Sequence, residues 1–396
     1  MFRSLYLYTR NISSLLLKKE LGIVLHDLGR YNRAFFSGQT TGVDREQALE
    51  QAMEWLLLAG EHMPDQGIGS FHLVDGWSSS YPETSGYIIP TLIVYGGLTG
   101  KDKFIDQAMA TADWLLSIQK ESGGWQGGRI NENKPEIVFN TGQIIRGMLA
   151  SYANDNNEKY LNAAIKAGDW LQSVQHEGGY WKKNALMEAE RVYDSYVDVP
   201  LLMLTEATGE RRYAETAKRN LDWIVDKKQH DNGWFEDCDN TLKHNDRPIL
   251  HTIAYTIDGL LDAGIKLNSE KYKAAAIKPA AKLKDLFLTN GYLNGRYDSG
   301  WNGSEYMIVT GCAQISIAWM KISIISKDPS YLEAAQKMNG LLVRIQNRQE
   351  KYSSNTIGAL QGSFPIWGKY EPFAYPNWAT KYFADALMLE QNIHQH

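Results

Sequence analysis

The sequence predicts an all-α fold: six helical hairpins closed into an (α/α)6 toroid, with an inner and an outer ring of six helices each. Three observations predict it. A glycine-aromatic signature recurs roughly every 50 to 60 residues, as Gly123-Gly124-Trp125, Gly178-Gly179-Tyr180-Trp181, Asn232-Gly233-Trp234 and Asp298-Ser299-Gly300-Trp301. Looser copies stand at Val74-Asp75-Gly76-Trp77 and Gly362-Ser363-Phe364-Pro365-Ile366-Trp367. A fixed period of this length marks a repeat architecture. Second, helical periodicity dominates, and the connections alternate strictly between short and long. Third, strongly charged helices alternate with nearly uncharged ones. A helix apolar all round is a buried helix.

Taken in order, residues 1–43 precede the repeat and read as an N-terminal packing arm, and 44–396 read as one toroid domain. The first helix is expected over 44–62. A long connection, 63–83, leads to 84–99, where Pro82 and Glu83 suit a helix start and Ile88 to Tyr95 carry no charge. Gly100 turns the chain into 101–119. There Phe104, Ile105, Ala108, Ala112, Leu115 and Leu116 form an apolar stripe opposite Lys101, Asp102, Lys103 and Asp106. The pattern then repeats. Segment 137–153 (uncharged from Ile137 to Leu149, apart from Arg146) turns at Asn154-Asp155 into 156–175. Segment 190–207 turns at Gly209 into 210–228, which is rich in charge. Segment 249–267 turns at Asn268 into 269–288, and 304–325 turns at Asp328-Pro329 into 328–345. Segment 374–392 is the last. Short loops join antiparallel neighbours, so all long loops fall at one end, and the uncharged helices that follow them form the inner ring. Their six N-termini converge on the long-loop face.

Composition excludes several classes. A net charge of −5 argues against nonspecific nucleic-acid binding. Two cysteines, Cys238 and Cys312, make no disulfide framework and fit a reducing compartment. The sequence shows no uninterrupted apolar run of transmembrane length and no apolar signal core or small-residue cleavage site in the first 30 residues. The expected location is cytoplasmic. The basic arm (Arg3, Arg10, Lys18, Lys19) offers peripheral contact with the inner membrane as an alternative to packing. No zinc spacing, P-loop, GxGxxG, GxSxG or Asp-rich motif occurs, so no cofactor and no metal are expected, and terpene cyclisation, prenyl transfer and lanthionine formation are disfavoured.

The polar residues in the first turns of the inner helices are the candidates for chemistry. Trp77, Tyr81, Glu83 and Tyr87 cluster on one rim. Asp194 and Asp198 stand four apart in Arg191-Val192-Tyr193-Asp194-Ser195-Tyr196-Val197-Asp198, and carboxylates in an apolar helix are costly unless paired or functional. Burial would raise at least one pKa, as a general acid needs. His251, Tyr255 and Asp258 form one stripe, so His251 and Tyr255 could move a proton beside a carboxylate. Pairing with arginine, or a satisfied core histidine, are the plain alternatives. Asn140, Gln143, Tyr193, Trp301, Tyr306, Tyr375, Asn377, Trp378 and Lys381 are candidate ligand hydrogen bonders and stacking rings, as are Glu305, Gln314 and the run Lys369-Tyr370-Glu371. Helix N-termini favour anions. With Arg129, Arg191, Arg247 and Arg296 in the long loops, they would suit an acidic ligand, unless those arginines cap the loops instead. Aromatics at 11% suit sugar stacking.

These loops and inner-helix patterns, over about 44–392, resemble the six-hairpin toroid carbohydrate-active enzymes. Tyr193-Asp194-Ser195-Tyr196-Val197-Asp198-Val199-Pro200-Leu201-Leu202 is similar to the helix carrying a catalytic aspartate in unsaturated glucuronyl and rhamnogalacturonyl hydrolases. That likeness implies Asp194 as general acid/base. Tyr81 to Tyr87 and Gly362 to Gly368 are similar to toroid proteins encoded with bacterial surface-polysaccharide genes, which implies polysaccharide-assembly proteins as partners. Similar rings serve uronate lyases and uronyl epimerases, which use Tyr, His and Arg. The leading expectation is hydrolysis of an acidic oligosaccharide or polysaccharide, with Asp194 as acid and Asp198 or Glu83 as partner. A lyase or C5-epimerase using Tyr255 or His251, and a noncatalytic glycan-binding protein, stand as alternatives.

Overall fold

The computed structural model describes residues 2–17, 21–38, 42–348 and 353–395. Helices α1 (Phe2–Leu17), α2 (Leu21–Arg30) and α3 (Arg33–Phe36) make up the arm. The outer ring is α4 (Arg45–Glu61), α6 (Asp102–Ser117), α8 (Glu158–Ser173), α10 (Arg211–Trp223, prolonged by a wide turn to Lys228), α12 (Glu270–Asn290) and α14 (Pro329–Ile345). The inner ring is α5 (Pro82–Thr99), α7 (Val138–Asp155), α9 (Ser195–Thr208), α11 (Leu250–Lys266), α13 (Val309–Ser326) and α15 (Asn377–Gln395). Each inner helix packs on the next, and α15 packs back on α5, so the ring is closed. Five hairpins are continuous in sequence. The sixth joins the C-terminal α15 to the N-terminal α4.

The twelve expected helices are present, with their starts shifted where loops intrude. Two short strands, Gly303–Ser304 and Met307–Ile308, lie in this stretch, so α13 begins at Val309 and not at 304. The third inner helix opens with a single tight turn, Val192–Asp194, before α9. By length and composition alone helix α13 could cross a membrane, but it is interrupted by polar residues and most of it is buried as part of the inner ring.

The recurring glycine has a mechanical cause. Gly123, Gly179 and Gly233 have φ of 100°, 95° and 86°. A Cβ on them would stand 2.3 Å from the Lys166 carbonyl oxygen, 2.6 Å from that of Arg219, and 3.0 Å from Pro279 N, all on the next outer helix. Only glycine allows both that backbone conformation and that approach. A glutamine just before each loop completes the joint. Gln175 Nε2 donates to the Gly179 and Thr216 carbonyls (2.6 and 2.9 Å), and Gln119 and Gln229 make the same pair of bonds to Gly123 and Ala163, and to Gly233 and Ala275. The aromatic residue that follows fills the space behind: Trp125 and Trp181 donate their indole N–H to the carbonyls of Leu115 and Leu171.

The last such joint differs from the sequence expectation. Its glycine is Gly358 (φ 87°), not Gly362, and a Cβ there would stand 2.0 Å from the Gln51 carbonyl oxygen on α4. Gln346 Nε2 bridges the Ala48 and Gly358 carbonyls at 2.9 and 2.7 Å, closing the ring. No aromatic residue follows Gly358, which is why the pattern did not reveal it.

The arm packs on the loop face. The buried Asp27 accepts from Gln361 Nε2 (2.7 Å), from the Ile366 amide (2.8 Å) and from Arg30. Arg10 pairs with Asp75 at 3.0 Å. Lys18, Lys19 and the side chain of Arg3 lie outside the described residues.

Replacing Gly179 with Ala should destabilise the protein by on the order of 2–4 kcal/mol, through a strained positive φ and a backbone collision. Gly97→Ala, where nothing lies within 4 Å and no positive φ is required, should cost little. Urea unfolding of the two variants checks this, and equal stabilities would refute the proposed joint.

Candidate active site

At the long-loop end the inner helices surround a cleft of about 510 Å³. Helix α5 brings Tyr81, Glu83 and Tyr87. Helix α7 and the loop before it bring Asn140, Phe139 and Lys134. The turn before α9 brings Tyr193, α11 brings His251, Thr252 and Tyr255, and the last long loop with α15 brings Tyr370, Glu371 and Trp378. The walls are chiefly aromatic, and the polar groups are few and convergent, which is the usual character of a small-ligand site.

Glu83 sits at the centre. It lies in the first turn of α5, where the helix dipole favours its charge, yet burial pushes its pKa up to about 7, with the Tyr81 hydroxyl as a hydrogen-bonding neighbour that partly offsets this. Burial raises the phenol pKa of Tyr81, Tyr87, Tyr193, Tyr255 and Tyr370, and the nearby Glu83 charge is a further cause in all five. Glu371 is the second cleft carboxylate. Burial raises its pKa too, and the Arg129 guanidinium opposes the rise. Its backbone has φ of 46°, in the left-handed region. Trp378 donates its indole N–H to the Tyr370 hydroxyl at 2.9 Å and meets Tyr81 edge to face.

His251 Nδ1 lies 2.7 Å from Gln314 Oε1. A carbonyl acceptor there assigns the proton to Nδ1 and the lone pair to Nε2. Burial pulls the imidazole pKa down to about 4, with the Gln314 bond opposing, so the ring is neutral near pH 7. It packs on Tyr255 (4.5 Å between centroids) and against Tyr370. The predicted stripe on α11 divides: His251 and Tyr255 face the cleft, while Asp258 reaches the opposite mouth and pairs with Lys321 at 2.7 Å.

Other candidates fall elsewhere. Asp194 does not line the cleft. It is 1% exposed, immediately behind Tyr193, and burial raises its pKa to about 8 against the pull of Arg191. Asp198 does not share its role either, because it turns outward to accept from Asn220 Nδ2 (2.8 Å) on α10, where burial again raises its pKa. The two do not form a pair across a ligand: Asp194 precedes the helix, and Asp198 faces the outer ring. Arg191 is buried and donates to the Asp239 and Leu186 carbonyls. Arg247 is exposed beside Asp246, and Arg296 pairs with Asp239 and Glu305. Arg129, which does not itself line the cleft, is the one of the four whose charge acts on a cleft carboxylate, Glu371.

Trp77 is stacked between Trp55 and His62 at the outer wall. Trp301 is buried and donates to the Asn232 carbonyl, tying two loops together. Tyr375 is buried in a short strand that pairs with Phe71–His72. Asn377 donates to the Ile68 and Gly69 carbonyls. Gln143 lies one turn below the cleft, accepting from Arg146 at 3.0 Å. Lys381 opens on the opposite mouth, paired with Asp385 at 2.7 Å. Tyr306 lies in a separate groove. As a lone loop carboxylate Glu371 has no periodic signal, and only the fold brings it into the same cleft as Glu83. Among the described residues, no group of three or more His, Cys, Asp or Glu is arranged to hold a metal ion.

Fold and cleft together define a toroid of the carbohydrate-active, glycoside hydrolase-like kind. Residues 120–278 match the β-L-arabinofuranosidase GH127 catalytic domain family, which is less than half of the chain. Among solved structures, the chain is similar to the unsaturated glucuronyl hydrolase from Bacillus sp. GL1 (TM-score 0.69, 15% identity, 87% of this chain and 96% of that one). It is also similar to a sugar epimerase from a ruminal bacterium (TM-score 0.66, 14%, 87% and 97%) and to an alpha-amylase from Clostridium perfringens (TM-score 0.62, 10%, 89% and 99%). At these identities the likeness is one of fold. No curated protein sequence matches the chain.

The buried carboxyls carry a pH signature. Asp194 is held neutral in the fold up to pH about 8, against an ordinary value of 3.8, so unfolding releases a proton between these values and stability falls as pH rises through that window. Asp194→Asn should therefore stabilise the protein at pH 7.5 by on the order of 2 kcal/mol, with the gain vanishing near pH 4. A variant less stable than the parent at both pH values would contradict a neutral, unpartnered carboxyl.

Proposed function

We propose that this protein is a glycoside hydrolase acting on an acidic glycan, with Glu83 as general acid and Glu371 as the partner carboxylate. The observation that carries the reading is the pair itself: two carboxylates in one aromatic cleft, Glu83 buried and Glu371 half-buried, with unequal surroundings. Glycosidic cleavage needs one protonated and one ionised carboxyl flanking the bond, and different environments assign the two roles. Glu83, with a pKa of about 7, can keep and then release a proton near neutral pH. Burial raises the Glu371 pKa and Arg129 opposes that rise, and in its ionised form Glu371 would activate water or attack the anomeric carbon. Aromatic faces would hold the sugar rings, and Lys134 on the cleft wall, paired with Glu132 at 3.1 Å, would exchange that partner for an acidic substituent. The polysaccharide-gene resemblance of Tyr81–Tyr87 and Gly362–Gly368 supports a bacterial polysaccharide as the source of that glycan, handled alongside polysaccharide-assembly proteins in the cytoplasm.

A second reading rests on His251. Neutral, with Nε2 unprotonated and packed on Tyr255, it has the form of a base for removing a C5 proton, with the phenol as acid. That chemistry belongs to a uronate lyase or epimerase.

With a panel of acidic polysaccharides, hydrolysis predicts new reducing ends without ultraviolet absorbance from a C4=C5 double bond. Both signals rising together would favour elimination. Solvent deuterium appearing at C5 with neither signal would favour epimerisation. Activity should decline with pH on an alkaline limb centred near the Glu83 value of about 7, since the acid must start protonated. Glu83→Gln should lower kcat by about 10²–10⁴-fold and abolish that limb. A Glu83→Gln enzyme with parental turnover would sink the assignment.

A further inference from the structure

Beside the cleft, the arm and the last two long loops enclose a second cavity, of about 570 Å³, that the reaction above does not use. Its walls are Tyr8 and Tyr31 from the arm, Glu305 and Tyr306 from the fifth long loop, and Trp367 and Lys369 from the sixth. Four of these six side chains are Tyr or Trp. Tyr31 meets Tyr306 edge to face at 5.3 Å, and Tyr306 meets Trp367 the same way at 6.5 Å. The rings therefore present differently oriented faces and edges. Tyr306 is 39% exposed, and among the described residues the Tyr31 and Tyr306 hydroxyls make no hydrogen bond. The polar group is an ion pair, Lys369 Nζ to Glu305 Oε1 at 2.9 Å, with the lysine side chain 71% exposed. The pair offers a donor and an acceptor side by side.

The groove and the cleft are neighbours along one loop. Lys369 lines the one, and the next two residues, Tyr370 and Glu371, line the other. Glu305 is held in the left-handed region at φ 64°, which a non-glycine residue adopts at a cost. It is fixed from behind by Arg296 at 3.3 Å, so the ion pair has a built position. The arm is anchored here through the Tyr8 hydroxyl, which donates to the Trp367 carbonyl at 2.8 Å.

We infer that this groove is a second glycan subsite, in which pyranose units of a chain extending from the cleft stack on Tyr306 and Trp367 and hydrogen-bond to the Glu305–Lys369 pair. Exposed aromatic faces beside a fixed donor and acceptor match the apolar face and hydroxyl rim of a pyranose. Because Lys369 of the groove directly precedes Tyr370 and Glu371 of the cleft, a glycan long enough would reach both. The inference rests on the glycan reading of the cleft, but its test is one of binding and does not require turnover.

The probes are chondroitin sulfate and hyaluronan oligosaccharides, with cello-oligosaccharides as neutral counterparts, titrated calorimetrically against the full chain. A hexasaccharide of at least one series should bind more tightly than its disaccharide. Tyr306→Ala should weaken the hexasaccharide by about fivefold to tenfold while leaving the disaccharide affinity unchanged, and Tyr306→Trp should retain the longer-chain advantage. Affinity independent of chain length, or equal loss for both lengths, would overturn the subsite and leave the cleft assignment standing. No binding of any probe by the parent protein would overturn both. Parental binding by Glu83→Gln without turnover separates the catalytic claim from either.

Discussion

The rest of the molecule depends on a contact, made at Gly123, Gly179, Gly233 and Gly358, between a loop glycine and the outer helix of the following hairpin. A helical hairpin has no edge by which to recognise its neighbour, and apolar packing alone permits sliding. The glutamine amide solves this by donating at once to its own glycine and to a carbonyl one hairpin ahead, which fixes both rotation and register. The glycine lets the backbones come close enough for that bridge. Among the described residues, nothing bonds to the buried amide oxygens of Gln175 and Gln346. An unsatisfied acceptor of this kind costs about 1–3 kcal/mol, so the two donated bonds at each joint must outweigh it. At Gln346 the same device joins residues 298 positions apart, which turns a row of hairpins into a ring.

Closure has an electrostatic consequence. Six inner helices pack around a common axis, and at mid-height their side chains are aromatic: Tyr87, Tyr196, Tyr255 and Tyr382 are all nearly buried there, with the Tyr382 and Tyr196 hydroxyls 3.2 Å apart. These rings stand between the loop-face cleft and the opposite mouth, where Lys321 and Lys381 are already paired with aspartates. Cleft polar groups therefore see a dry floor below and open access only from the loops. Desolvation is the first cause of every raised carboxyl value in the site. What differs between Glu83 and Glu371 is the company each keeps, a phenol for one and a guanidinium for the other.

The sequence carried the ring and much of its inner wall. Alternating short and long connections, and the loss of charge from alternate helices, are direct effects of burial, and the structure reproduces both. Tyr81, Glu83, Tyr87, Asn140, Tyr193, His251, Tyr255 and Trp378 reach the cleft because they occupy the first turns of inner helices. What the sequence could not carry was direction. Asp194 and Asp198 looked alike as carboxylates in an apolar helix, yet one is sealed behind Tyr193 and the other bonds to Asn220 of the outer ring. Loop arginines were countable, but whether a guanidinium meets a ligand depends on what lies opposite. For Arg191 that is a pair of backbone carbonyls, and for Arg296 it is Asp239. Glu371 lay in a stretch with no periodicity, and only ring closure brings it into the same cleft as Glu83.

The arm follows from the same geometry. The sixth hairpin is split between the two ends of the chain, so the segment before α4 is placed to cover the long loop that leads into α15. Helices α1 to α3 fill that role, with Asp27 buried against Gln361 and Ile366 and Phe35 packed on Phe364. Asp27 is fully buried and accepts three hydrogen bonds, one from a cation, which is how a buried carboxylate is tolerated. The loop it supports carries Trp367, Lys369, Tyr370 and Glu371. The segment farthest from the cleft in sequence thus sets the position of one of its two carboxylates, and substitutions in the arm would act on the site through this loop without touching it.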